Sequence, residues 1–196
     1  AAPGALEPAQ FSVDLSWQKR MYGEEGTLRE VCIESMVREE GLMDSNNRNQ
    51  AKKVLKQYFG YDSFREGQEE LIENILNGTD TFGIMPTGAG KSICFQVPGL
   101  MMEGITLVIS PLISLMKDQV EGLNQAGVHA AYFNSSLTAG QYRKALEFAK
   151  QGRYKIIYVA PERLDTDLFL EFALQTDISM LVVDEAHCVS QWGQDF

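Results

Sequence analysis

The sequence predicts a three-layer α/β domain built on a mostly parallel central sheet, and three observations predict it. Short apolar runs such as Thr106-Leu107-Val108-Ile109 and Met180-Leu181-Val182-Val183 show no polar alternation, which suits strands buried on both faces. Between those runs, apolar residues recur at helical spacing. The strand–helix order then repeats along the chain, and that order places a parallel sheet between two helical layers.

Residues 1–42 read as an N-terminal extension of unknown role, and 43–196 as the domain proper. In the extension, Thr27 and Glu30 have capping-box spacing ahead of a short helix expected over about 27–40. From Asn49, the stripe Ala51, Val54, Leu55, Tyr58 and Phe59 predicts a helix that Gly60 ends. A second helix is expected over Phe64–Leu76, with Leu71, Ile72, Ile75 and Leu76 on one face and Asn77-Gly78 as its stop. Five strands follow, at about 82–85, 106–110, 129–133, 156–159 and 180–183, interleaved with helices at about 91–101, 112–126, 138–151 and 164–174. Ligands of such a sheet collect at the carboxyl ends of its strands.

The longest apolar stretch, Val97–Met116, is interrupted by Glu103 and two prolines, so no membrane span is expected. No basic region followed by an apolar core opens the chain, so no signal peptide is read. Cys32, Cys94 and Cys188 are odd in number and far apart, giving neither a zinc spacing nor a disulfide framework. That usage suits a reducing, cytoplasmic interior. The formal net charge of −10 argues against a large non-specific nucleic-acid surface, while leaving room for a local basic groove.

The first chemical motif is Met85-Pro86-Thr87-Gly88-Ala89-Gly90-Lys91-Ser92, set between an apolar run and a helix start. Glycines let Thr87, Gly88, Ala89 and Gly90 curl so that backbone N–H groups converge on an anion, and the next helix adds its positive end. Lys91 is then placed for the β- and γ-phosphates, and the Ser92 hydroxyl for Mg²⁺. The strict phosphate-loop pattern asks for Gly where this chain has Met85.

The second motif is Asp184-Glu185-Ala186-His187, directly after an apolar strand. Phosphoryl transfer needs a carboxylate for the metal and another for the attacking water, and Asp184 and Glu185 fill these roles in that order. His187 either couples the nucleotide site to a neighbouring element or is a satisfied loop histidine.

With these residues in place, the chain resembles the RecQ family of superfamily two DNA helicases over about residues 50–196. The segment Tyr58–Glu69 resembles the family's adenine-recognition segment, which implies that Tyr61 stacks on the base while Arg65 and Gln68 hydrogen-bond it. Met85 is usual in the family's phosphate loop. The segment Val108–Gln119 resembles one used against single-stranded DNA, with Ser110, Ser114, Lys117 and Gln119 as polar candidates. Asn134-Ser135-Ser136 and Val159–Leu164 resemble further strand-end segments along a DNA path. The tail after Asp-Glu-Ala-His resembles the family's aromatic-rich loop, which implies that Trp192 and Phe196 sense DNA bases. Gln194 stands where the family would have histidine.

The resemblance implies a RecA-like P-loop NTPase domain that uses ATP and Mg²⁺, acts on single-stranded and duplex DNA, and takes no other small-molecule substrate or membrane partner. It implies repair or recombination as the setting, a nucleoid association in a bacterium, and catalytic roles for Lys91, Asp184, Glu185 and His187. A second RecA-like domain, absent from these residues, is expected to complete the motor. The competing expectation is a truncated, non-catalytic module that binds nucleotide or DNA.

Overall fold

The computed structural model describes residues 45–86 and 88–186 of the 196-residue chain. The helix expected at 27–40 lies outside the described residues.

Helix α1 spans Ser45–Val54 and runs into one π-helical turn, Leu55–Phe59. Gly60 ends that turn in the left-handed region (φ 75°), where its N–H reaches the carbonyl of Lys56 at 3.1 Å. Helix α2 covers Gln68–Leu76, starting four residues later than the apolar stripe suggested because Gly67 sits at φ 78°. The rest alternates: α3 Lys91–Met101, β1 Ile105–Ile109, α4 Ile113–Gln125, β2 Ala130–Phe133, α5 Ala139–Lys150, β3 Ile156–Val159, α6 Pro161–Leu164, α7 Asp167–Leu174 and β4 Ile178–Val183.

The strands form one sheet in the order β2-β3-β1-β4, with every pairing parallel. In register, Val108 lies beside Tyr158 and Val182, and Leu107 beside Ile157 and Leu181. Successive side chains point to opposite faces, so the two sets enter different cores. Leu107, Ile109, Ile157 and Val159 pack with Tyr142 and Leu146 of α5 and with Phe169 and Phe172 of α7. Val108, Ile156 and Tyr158 pack with Phe95 of α3 and with Met116, Val120 and Leu123 of α4. A third cluster, Ala51, Leu55, Ile72, Ile93 and Val97, ties α1 and α2 to α3. The three-layer architecture expected from the uninterrupted apolar runs is present.

Two expectations are corrected. Residues 82–85 form no strand: the segment runs alongside α2, close enough that a Cβ on Gly83 would lie 2.9 Å from Leu71 Cδ1, and Phe82 and Ile84 are 57% and 48% exposed. An apolar run becomes a strand only when a neighbour completes its ladder, and among the described residues none lies beside it. The single helix expected over 164–174 is two helices. Pro161 opens α6, and Thr166 closes it by donating its hydroxyl to the Arg163 carbonyl at 2.8 Å. The Thr166 carbonyl then accepts from the N–H groups of Phe169 and Leu170 as α7 begins.

Candidate nucleotide-binding site

Chain reversal at the phosphate loop depends on two left-handed glycines, Gly88 and Gly90, both at φ 82°. The loop is closed by a hydrogen bond from Ala89 N–H to the Pro86 carbonyl at 3.1 Å, and α3 begins at Lys91. Met85 is anchored behind the loop, where the Cys94 thiol donates to its Sδ at 3.6 Å. Burial pushes that thiol up to about 11, so it stays protonated and unreactive at neutral pH. The first loop position is thus packed against α3, which a glycine cannot do.

The residues singled out upstream of the loop hold its backbone. Arg65 Nη1 donates to the Gly88 carbonyl at 2.6 Å. Gln68, only 3% exposed, donates from Nε2 to the carbonyls of Ala89 at 3.1 Å and Gly90 at 3.0 Å. Its Oε1 accepts from Arg65 N–H at 2.8 Å. Space at Gly90 is filled by this amide, since a Cβ there would meet Gln68 Nε2 at 2.7 Å. Tyr61 is 52% exposed and lines, with Arg65, Gln68 and Gly90, a cavity of about 370 Å³. The opposite side of that cavity belongs to α3 and α4 through Gln96 and Gln119.

The acidic pair arrives from the other side. Asp184 N–H donates to the Ile109 carbonyl at 2.8 Å, extending the parallel ladder one residue beyond β4. The Asp184 carboxylate is nearly buried and accepts from Glu185 N–H at 3.0 Å. Glu185 itself lies at φ 52°, the left-handed region that non-glycine residues rarely occupy. Its Oε1 is 3.4 Å from Lys91 Nζ, although 94 residues separate the two in sequence. Ser92 and Asp184 offer hard oxygen donors, the chemistry that Mg²⁺ prefers. Among the described residues no group of three or more His, Cys, Asp or Glu side chains is arranged to hold a metal unaided.

The nucleic-acid candidates separate by exposure. Ser114, Lys117 and Ser135 are exposed, the first two on α4 just beyond β1 and the third just beyond β2. Ser110 and Asn134 are wholly buried. Asn134 Oδ1 accepts from Ser136 N–H at 3.0 Å and from its hydroxyl at 2.7 Å, while its carbonyl accepts from Arg163 Nη2 at 3.0 Å. Its role in this structure is to shape the turn after β2. Gln119 is turned inward, accepting at Oε1 from Gln96 Nε2 at 2.9 Å. Thr87, His187, Trp192 and Phe196 lie outside the described residues. Sequence reasoning overlooked Gln96 and Tyr158, which meet at 3.0 Å in the core, and the left-handed backbone of Glu185. A glutamine inside an otherwise apolar helix, Ile93-Cys94-Phe95-Gln96-Val97, was the available signal for the first.

The DEAD/DEAH box helicase family profile matches residues 65–196. Over 149 residues the chain is 50% identical to the ATP-dependent DNA helicase RecQ of Bacillus subtilis, covering 76% of this chain and 25% of that protein. It is 49% identical over 146 residues to the RecQ of Haemophilus influenzae, covering 74% and 24%. The ATP-dependent DNA helicase Q-like 5 of Arabidopsis thaliana is 45% identical over 145 residues, covering 74% and 16%. The chain therefore spans about a quarter or less of the length of these curated relatives. Its fold matches the crystal structure of a hypothetical ATP-dependent RNA helicase from Sulfolobus tokodaii with a TM-score of 0.56 at 20% identity, covering 74% of this chain and 43% of that one.

Proposed function

The chain belongs to the DEAD/DEAH box helicase family, and from that premise we propose that it is the first motor domain of a RecQ-type ATP-dependent DNA helicase. The observation that carries the proposal is the meeting of Lys91 and Glu185 at 3.4 Å. Folding brings Lys91 within 3.4 Å of Glu185, the second carboxylate of an Asp-Glu pair, which supports a role for both at a terminal phosphate and its attacking water.

In this reading the N–H groups around Gly88–Gly90 and the positive end of α3 bind the phosphates, and Lys91 exchanges Glu185 for a γ-phosphate oxygen. Glu185, whose Oε1 lies 3.4 Å from Lys91 Nζ, accepts a proton from the attacking water. Asp184 and the Ser92 hydroxyl would hold Mg²⁺, which neutralises charge on the phosphate oxygens when bound. Arg65 and Gln68 keep the loop carbonyls fixed so that its N–H groups stay pointed at the anion. Tyr61 supplies an aromatic face for the base. Ser114, Lys117 and Ser135, exposed beyond the ends of β1 and β2, offer polar groups to a single-stranded DNA backbone. Residues 1–42 are a separate N-terminal extension, and 43–196 the motor domain. His187 links hydrolysis to DNA contact, and Trp192 and Phe196 stack on bases. A second motor domain in the longer protein supplies the charge that completes the site, an effect of about 10³–10⁵ in rate where arginine does so. The protein works on DNA in the cytoplasm or nucleoid, in repair or recombination; among the described residues no helix is long and apolar enough to cross a membrane.

The test is ATP hydrolysis with and without single-stranded DNA, measured on a form extended through the next domain. DNA-stimulated turnover that disappears in Lys91→Ala is expected. Turnover indifferent to DNA, or surviving that substitution, overturns the proposal.

A further inference from the structure

The sheet carries a hydroxyl that the proposed function leaves unused. Ser110 follows β1 directly, and its side chain is wholly buried. Its N–H donates to the Val159 carbonyl at 3.1 Å, which continues the parallel ladder past β1. Its Oγ has no hydrogen-bond partner among the described residues. A buried hydroxyl left unpaired loses its bonds to water without replacement, so folding alone gives no reason to keep it. Burial also removes it from DNA lying across the sheet edge, the role that the resemblance implied.

Thr106 supplies the contrast. Its hydroxyl is also buried and unpartnered, four residues earlier on the same face of β1. A Cβ on Gly99 would lie 2.7 Å from Thr106 Oγ1, so that hydroxyl fills the space where α3 passes over the sheet at Gly99. Ser110 stands instead at the carboxyl end of the sheet, where ligands of parallel α/β sheets collect.

Register places Ser110 beside Asp184. Ile109 is paired with Val183, and Asp184 N–H donates to the Ile109 carbonyl at 2.8 Å, so the next pair across the ladder is Ser110 and Asp184. Two residues earlier, Val108 belongs to the cluster that holds Phe95 of α3, and Val182 packs against the same cluster. Side chains alternate along a strand, so Ser110 and Asp184 are directed to that side too, the side of the helix that starts at Lys91 and Ser92. Adjacent strands lie about 4.8 Å apart. A serine hydroxyl moves among three staggered wells and its proton rotates to suit, so a bond from Oγ to the neighbouring carboxylate needs no backbone movement.

We propose that Ser110 is a positioning residue for the metal of the bound nucleotide, its hydroxyl donating to the Asp184 carboxylate and holding it toward Mg²⁺. This rests on the nucleotide-binding reading above and adds the residue that orients its metal ligand. Carboxylates that ligate a metal are themselves held by outer hydrogen bonds, and losing such a partner weakens metal binding by about 10–100-fold. The unpaired hydroxyl of the free chain is then explained by the bond it makes in the loaded one. Ser110 leaves the set of DNA-facing residues, which keeps Ser114, Lys117 and Ser135.

Ser110→Ala removes one oxygen and nothing else, and two readouts on the full 196-residue chain separate positioning from packing. The first is binding of fluorescent N-methylanthraniloyl-ATP, with excess Mg²⁺ and with EDTA. The parent should bind more tightly with Mg²⁺. Ser110→Ala should lose about tenfold in affinity with Mg²⁺ and keep the parent's affinity in EDTA. In an Asp184→Asn background the same substitution should have no further effect, because it acts through that carboxylate. The second readout is the melting temperature without nucleotide, which should rise by about 2 °C or more in Ser110→Ala as the unpaired hydroxyl is removed. Affinities that fall equally with and without the metal, or an undiminished loss in the Asp184→Asn background, overturn the inference and assign Ser110 a packing role. An unchanged affinity with Mg²⁺ also overturns it, as does a lower melting temperature, which would mean that the hydroxyl is already bonded in the free chain. Each of these outcomes leaves the nucleotide site intact. A parent chain that fails to bind the probe, or binds it equally with and without Mg²⁺, overturns the nucleotide and metal reading itself, and the inference with it.

Discussion

Gly90 and Glu185 each hold a left-handed backbone in the site. Gly90 sits at φ 82° with the Gln68 amide where a side chain would go. Gly90→Ala should lower stability by about 1–2 kcal/mol from the left-handed backbone alone, with further loss from displacing Gln68. Denaturant unfolding and nucleotide binding should fall together; an alanine variant as stable as the parent would mean that the loop can adopt another path. Glu185 holds a left-handed φ of 52° without being glycine, and the Lys91 contact at 3.4 Å is where that geometry leads. Glu185→Gln keeps the shape and removes the carboxylate proposed as the base. In a form containing both motor domains it should retain ATP binding and lose turnover by about 10²–10⁴-fold. Single-turnover hydrolysis checks this, and wild-type rates would reassign the proton acceptor.

Among the elements, α5 shows most plainly how local sequence sets a boundary. Thr138 and Gln141 form a reciprocal capping box, the Gln141 N–H donating to the Thr138 hydroxyl at 3.3 Å and the Thr138 N–H to Gln141 Oε1 at 2.9 Å. Thr138→Ala should cost about 1 kcal/mol, read from the urea midpoint, with no change in the nucleotide site. A change in nucleotide affinity would contradict the separation of α5 from that site. The helices and strands were legible wherever apolar residues kept one period and a cap marked the end, as for α3 and for β3 at Ile156–Val159. Legibility failed where partners outside the local pattern decide. The 82–85 run has strand composition and no ladder neighbour among the described residues. Thr166 breaks a helix that apolar spacing alone would continue, because its hydroxyl prefers a backbone carbonyl to solvent. The Gly88–Lys91 turn and the Asp184-Glu185 pair could be picked out as candidates because their motifs are local in sequence. The orientation of Gln119 could not, since it depends on Gln96 and Tyr158 from two other elements.

At the scale of the whole molecule, two apolar cores sandwich the sheet and the chemistry gathers at one edge of it. The same packing makes stability sensitive to alkali. Cys94 ordinarily titrates at 9.0, and burial raises it to about 11 in the folded chain. The folded state therefore holds this proton more tightly than the unfolded one. That contribution is present below pH 9 and is lost as pH rises from about 9 toward 11. Comparing melting temperatures of the parent and Cys94→Ala across that window isolates it: the parent should lose stability more steeply. Parallel curves would mean that the thiol ionises as it does in water.

The central claim is that the Gly88–Ser92 turn holds the phosphates of ATP through its backbone and Lys91. Calorimetric titration of ATP with Mg²⁺ into the 196-residue chain tests it most directly, with Lys91→Ala titrated alongside. Saturable binding to the parent that weakens at least about tenfold in the variant is the predicted result, given the strength of charge-assisted phosphate contacts. Equal affinity in the two proteins, or no binding to the parent, would contradict it.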